Sequence, residues 1–150
     1  MRSILLVLSL VLLVAPGCSS APSRAPHTPL SESNQTPLSE SDQEIARAFE
    51  QGSSNVQVKG RGVVRKILSD DNDGKRHQRF VVALESGQTV VIAHNIDLAP
   101  RVRDLREGDR VEFSGEYEWN QKGGVVHWTH HDPRKRHPAG WLKHNSITYQ

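Results

Sequence analysis

Residues Gly115–Pro133 read GEYEWNQKGGVVHWTHHDP. Two runs of alternating apolar and polar residues flank Gly123-Gly124, and the stretch closes on His130-His131-Asp132-Pro133. Period-two alternation around a glycine pair predicts a β-hairpin, because successive strand side chains point to opposite faces and glycine supplies the turn. Tyr117, Trp119, Val126 and Trp128 are assigned to the buried face. This pairs Trp119 with Val126 and Tyr117 with Trp128, so that Glu118 faces His127 and Glu116 faces Thr129 on the outer face. A slip by one residue would bury the glutamates.

Working outward, Gly108-Asp109 opens the first hairpin strand, with Val111 and Phe113 inward and Glu112 and Ser114 outward, and Val125–His130 forms the second. Upstream, Val56 and Val58 alternate with polar residues in a strand that extends toward Leu68. Its glycines, Gly60 and Gly62, suggest bending or close backbone approach. Ser69–Lys75 (SDDNDGK) reads as a turn, Phe80, Val82 and Leu84 as the next strand, and Thr89–His94 as the third. Ile96–Arg106, with Pro100, lacks alternation and reads as a loop. Three strands, a non-strand connection and two further strands predict an all-β fold: a small five-stranded barrel of the oligonucleotide/oligosaccharide-binding (OB) type. A small β-sandwich is the alternative. Trp141 and Tyr149 are expected to pack a C-terminal tail on the barrel.

The chain has 150 residues, 35% hydrophobic and 24% charged, with a formal net charge of +2. That is one domain with tails, and a charge too small to argue for nucleic acid by itself. After Met1-Arg2, Ser3–Ala15 is an apolar run shorter than the ~20 residues that span a bilayer, so residues 1–17 read as a signal peptide. Gly17-Cys18 resembles the lipobox of bacterial lipoproteins, which makes Cys18 the lipidation site. Pro16 departs from that pattern, and ordinary cleavage of a secreted protein is the alternative. Ser19 resembles the outer-membrane sorting pattern. Residues 18–41 are poor in bulky apolar groups and read as a disordered tether. Within them Thr28–Gln35 recurs almost unchanged as Thr36–Gln43, a duplicated spacer or a repeated binding motif. The domain then occupies 42–150. Its short helix, about Asp42–Gln51, has Ser41 as N-cap, Glu44 completing a capping box, a face of Ile45, Ala48 and Phe49, and Gly52 as its stop.

Arg76-His77-Gln78-Arg79-Phe80, His94-Asn95-Ile96-Asp97-Leu98-Ala99-Pro100-Arg101, the Gly115–Pro133 hairpin, Gly140-Trp141-Leu142 and Tyr149-Gln150 occur in one order. In these strings the chain resembles the bacterial family designated domain of unknown function 3465, from Val56 to the C-terminus. The resemblance implies a small exported bacterial protein and brings no catalytic residues with it.

Candidate sites follow from residue chemistry. His127, His130, His131 and Asp132, with His137 and His144 nearby, could bind a divalent metal such as zinc through nitrogen and oxygen ligands. Alternation puts His127 and His131 on one face and His130 on the other, so all three converge only if the strand ends near Thr129. The competing reading is scattered surface histidines. A carboxylate from Glu116 or Glu118 beside an imidazole orients a general base or a ligand, or forms an ordinary ion pair. Arg76, His77, Arg79, His94, Asn95, Asp97 and Arg101 lie on neighbouring strands and could meet at one rim, where arginines beside an acid and a histidine suit an anion. Alternatively Asn95 and Asp97 cap the chain and Arg101 pairs with Asp97. Asp70–Gly74 departs from the calcium-loop template and reads as a turn. Arg134-Lys135-Arg136 faces solvent or an anionic surface.

The sequence names no reaction. It supports an envelope lipoprotein, held at the membrane by its lipid, that acts as a binding or accessory module for an anionic envelope ligand or nucleic acid. The alternative is a metal-dependent hydrolase, phosphodiesterase or nuclease-like, using the hairpin histidines. An enzyme would gather the strand-three and hairpin histidines around a cleft.

Overall fold

The structure, a computed structural model, describes residues 39–150. The leader, Cys18 and most of the tether lie outside the described residues. One helix, α1 (Glu40–Glu50), precedes seven strands: β1 (Val56–Ile67), β2 (His77–Leu84), β3 (Thr89–Asn95), β4 (Arg110–Glu118), β5 (Val125–His127), β6 (Trp141–His144) and β7 (Ile147–Tyr149).

The first five strands close a barrel in the order β1-β2-β3-β5-β4, with β4 returning to pair antiparallel with β1 from Val56↔Tyr117 to Val63↔Arg110. β3 and β5 run parallel and the other pairs antiparallel. This is the five-stranded OB-type barrel that the alternation predicts. Closure leaves none of these strands as a bare edge. The glycines of β1 mark close approach, as expected: the Phe113 ring lies across Gly60, where a Cβ would come within 2.4 Å of it.

Inward residues of every strand form one core, dominated by Phe80, Ile92, Phe113, Tyr117, Val126 and Leu142, all essentially inaccessible. Ile45 and Ala48 of α1 join it, with Phe49 packed at its margin. The helix starts before the expected position. Ser39, not Ser41, is the N-cap, its hydroxyl accepting from Asp42 N at 3.2 Å. The earlier start puts Asp42 on the buried face, where Oδ2 accepts from Ser86 N (2.9 Å) and ties α1 to the β2–β3 turn. At the other end Gly52 N and Ser53 N donate to Phe49 O and Ala48 O, a Schellman stop with Gly52 at φ +63°. Replacing Ser39 with alanine should cost about 1 kcal/mol, read as a lower melting temperature with unchanged strand content.

The C-terminal tail is more regular than expected. β6 and β7 form a hairpin whose first strand pairs with the Val111–Ser114 half of β4, beside the segment that pairs with β5. Leu142 and Tyr149 enter the core from it.

Within its strands the central hairpin buries Tyr117 and Val126 as expected, but it changes its partners, and Trp119 and Trp128 leave the buried face. The observed pairs are Tyr117↔Val126, Glu118↔Val125 and Glu116↔His127, two residues from the expected register. Trp119 leaves the strand, 39% exposed, and its indole N–H donates to Phe49 O (3.1 Å). The connection therefore runs over six residues, from Trp119 to Gly124. The Tyr117 ring packs directly on Gly124, and its hydroxyl donates to Gly123 O (3.1 Å).

Candidate functional site

β4 presents Glu116 and Glu118 outward on either side of the buried Tyr117, and β5 presents His127 outward beside the buried Val126. His127 Nε2 lies 3.9 Å from Glu116 Oε1 and 3.7 Å from Glu118 Oε1. One ligand atom from each of these residues falls within 4.8 Å of the others. His127 Nε2 is shut off from solvent and has no hydrogen-bond partner, although its ring is partly exposed.

The strand ends at His127, not His130. Trp128 turns the chain at φ +54°, a conformation that bulky residues rarely adopt, and so leaves the expected buried face for a half-buried position. Gly140 passes against this corner: a Cβ there would meet Trp128 O at 1.9 Å and Ser114 O at 2.6 Å. The loop between them is held by Asp132, whose carboxylate accepts from the backbone N–H groups of Arg134, Arg136 and His137. Those backbone N–H groups, Arg134's foremost, hold the carboxyl below the usual carboxylate range. The loop returns His137 to stack on Trp128, with centroids 3.8 Å apart and planes 15° from parallel, while its Nδ1 stands 3.4 Å from Glu116 Oε2.

Thr129 and His130 turn inward to meet His94 of β3, so the chain change at Trp128 separates the hairpin histidines. His94 is fully buried, with Nε2 at 3.1 Å from Pro100 O and Nδ1 at 2.8 Å from Thr129 Oγ1. A carbonyl only accepts, so Nε2 carries the proton and Nδ1 accepts from the Thr129 hydroxyl. Burial, opposed by the Pro100 hydrogen bond and reinforced by His130 and His77, lowers the His94 pKa to about 4. The His130 ring is 6.5 Å from that of His94 and donates through Nδ1 to His131 O, and burial lowers its pKa as well. Of the hairpin histidines, His130 alone meets His94, while its other side borders a surface hollow. His131 is exposed on the loop, and His144 bonds Asp109 at 2.9 Å on β6.

Arg76, Arg79 and Arg101 are each already paired. Arg76 holds Asp97 through its backbone N–H and its guanidinium, both at 2.8 Å, and these bonds pull the Asp97 carboxyl down. Arg101 pairs with Asp70 and not with Asp97. Arg79 donates to Ser69 O (3.1 Å) with Asp71 nearby, and Asn95 Oδ1 accepts from Asp97 N (2.9 Å). These contacts brace the β1–β2 loop, where Asp71 and His77 bridge to each other.

Two adjoining hollows lie on the outward face of the barrel. One, about 240 Å³, is lined by Asp71, His77, Ala93, Glu118, Val125 and His127. The other, about 220 Å³, is lined by Lys75, His77, Asn95, Leu98, His127, Trp128 and His130. His77 and His127 belong to both. A larger groove of about 1020 Å³ runs along β1 and the β6–β7 hairpin, where Glu85 and Glu112 alternate with Arg61, Arg65, Arg110 and Lys143. Arg61 is bonded to Glu85, and Lys143 lies over the Trp141 ring. Sequence reasoning found Glu116, Glu118, His77 and His127. It missed Lys75 and the return of His137 to Glu116, for which the only signal was an Asx-type turn at Asp132-Pro133.

Fold and face together define a closed OB-type barrel carrying an acid–imidazole cluster where β4 meets β5. The chain belongs to DUF3465, a family of proteins of unknown function, whose family model matches residues 29–150. No curated protein matches the chain.

Proposed function

We propose that this protein is a binding module of the cell envelope, an exported lipoprotein whose barrel holds an anionic group of its ligand on the outward face of β2, β3 and β5. One observation carries the reading: the hollow around His77 and Trp128 has an ammonium, an amide and several N–H-bearing rings in its wall and no carboxylate. Asn95 commits its carboxamide oxygen to Asp97 N, which leaves its NH₂ group to donate. Leu98 supplies an apolar side. A concave surface with a few convergent donors is how a polar headgroup is oriented, and OB barrels bind across this same side of the sheet. The bracing arginines keep the wall in place. The address rests on residues 1–19, with Cys18 as the lipid anchor to the outer membrane.

Titration calorimetry with inorganic phosphate tests the site. Lys75→Ala and His77→Ala should each weaken binding about tenfold, the loss of one charge-assisted hydrogen bond. Equal affinity in the variants, or no phosphate binding, would contradict the reading.

A further inference from the structure

We propose that Glu116, Glu118 and His127 form a divalent transition-metal site, with His137 as its positioning residue. The inference goes beyond the anion reading and stands without it. Three geometric features lead to it. The donors come from two adjacent strands whose register fixes them: Glu116 faces His127 directly, and Glu118 lies one pleat along on the same face. Ordinary ion pairs would close to about 2.7–2.9 Å, yet His127 Nε2 stands 3.7 and 3.9 Å from the two carboxylates and bonds neither. Ligands at 2.0–2.1 Å around one tetrahedral ion would be about 3.3–3.4 Å apart, so His127 Nε2 needs to approach each carboxylate by only a few tenths of an ångström, while the two carboxylate oxygens, within 4.8 Å of each other, close by up to about 1.4 Å through side-chain rotation.

The second feature is the orphan nitrogen. Nε2 is sealed from water and has no partner, which is costly for a polar atom unless something occupies the space between it and the carboxylates. The third is the outer support. His137 Nδ1 reaches the far oxygen of Glu116 (3.4 Å), and the His137 ring is clamped on Trp128. A group that fixes the free oxygen of a ligating carboxylate is the usual partner of a metal ligand. One nitrogen and two carboxylate oxygens suit zinc or manganese, and the mixed donor set argues against magnesium or calcium, which take oxygen alone. Glu118 and His127 also line the hollow beside Ala93, so a bound ion would face it and leave positions for water or an anion.

The set differs from the one the sequence offered: only His127 is common to both. His130 is turned into the core, His131 is exposed on the loop, and Asp132 is consumed by its turn.

The test is calorimetric titration of the untagged chain with Zn²⁺ and Mn²⁺. Near-stoichiometric binding is expected. His127→Ala and Glu116→Gln should each weaken it at least about 100-fold, since even outer partners are worth 10–100-fold. His137→Ala should weaken it about tenfold while leaving the melting temperature of the metal-free chain within the range of the other variants, which a merely structural role would not do. His131→Ala, the discriminating control, should bind as the parent does. Absence of binding to the parent chain would overturn the proposal. So would affinity that survives Glu116→Gln, or that falls in His131→Ala and not in His127→Ala. The near-isosteric Glu116→Gln variant keeps the test decisive if His127→Ala fails to fold.

Discussion

Replacing Tyr117 with alanine should lower the unfolding free energy by about 3–5 kcal/mol, the range for deleting a fully buried aromatic ring. Tyr117 is the largest side chain with no exposure, and it is the residue on which β1, β4 and β5 meet. Its ring fills the space over Gly124, which has no side chain to move in, so the site cannot collapse to close the cavity. Tyr117→Phe separates packing from the hydroxyl. It should cost about 1 kcal/mol, because Gly123 O loses a buried donor. Urea denaturation measures both. A loss for Tyr117→Ala no larger than that for Tyr117→Phe would mean that the hairpin is not anchored by this ring.

Acid should destabilise the barrel before its carboxylates titrate. His94 is neutral and buried with a pKa of about 4, against an ordinary 6.5 in the unfolded chain. Between those values the unfolded chain binds the proton and the folded chain does not, so stability falls as pH falls from about 6.5 to about 4. The full span corresponds to about 3 kcal/mol. His130, lowered by the same burial, acts in the same direction. The Asp97, Asp109 and Asp132 carboxyls are held below the usual carboxylate range, by backbone N–H groups first of all. Their contributions are present above pH 4 and are lost only below it, which separates the two windows. Chemical unfolding at a series of pH values should show the slope, and His94→Gln should flatten it whatever it does to the baseline. An unchanged slope in that variant would assign the acid sensitivity elsewhere.

The contrast between what was legible in the sequence and what was not has a physical pattern. Alternation at Val111, Phe113 and Tyr117 reports faces, and these three are buried while Glu112, Glu116 and Glu118 are not; Ser114, assigned outward with them, is buried where β6 pairs alongside. Alternation does not report partners. A slip by two residues preserves all the faces, so alternation is satisfied equally by Glu118 or Glu116 opposite His127, and the structure has Glu116 there. The choice between these registers lies in contacts distant in sequence, Trp119 with Phe49 and Tyr117 with Gly124. β6 and β7 were hidden for another reason. They are four and three residues long and turn at Asn145-Ser146, both at positive φ, with no glycine to announce it. The site was half legible. Glu116, Glu118 and His127 follow from period two alone, whereas the inward turn of His130 and the return of His137 depend on a tryptophan in a left-handed conformation, which no local propensity anticipates. Arg101 likewise finds Asp70, 31 positions earlier, and not its near neighbour Asp97.

The central claim is that this domain acts through the outward face formed by β2, β3, β5 and β4. An amide NMR titration of the chain with Zn²⁺ and then with phosphate tests it most directly. The account predicts that zinc shifts centre on Glu116, Glu118, His127 and His137, and phosphate shifts on Lys75, His77, Asn95 and Trp128. Shifts centred instead on Arg61, Arg65, Arg110 and Lys143 along the larger groove, or no shifts with either ion, would contradict it.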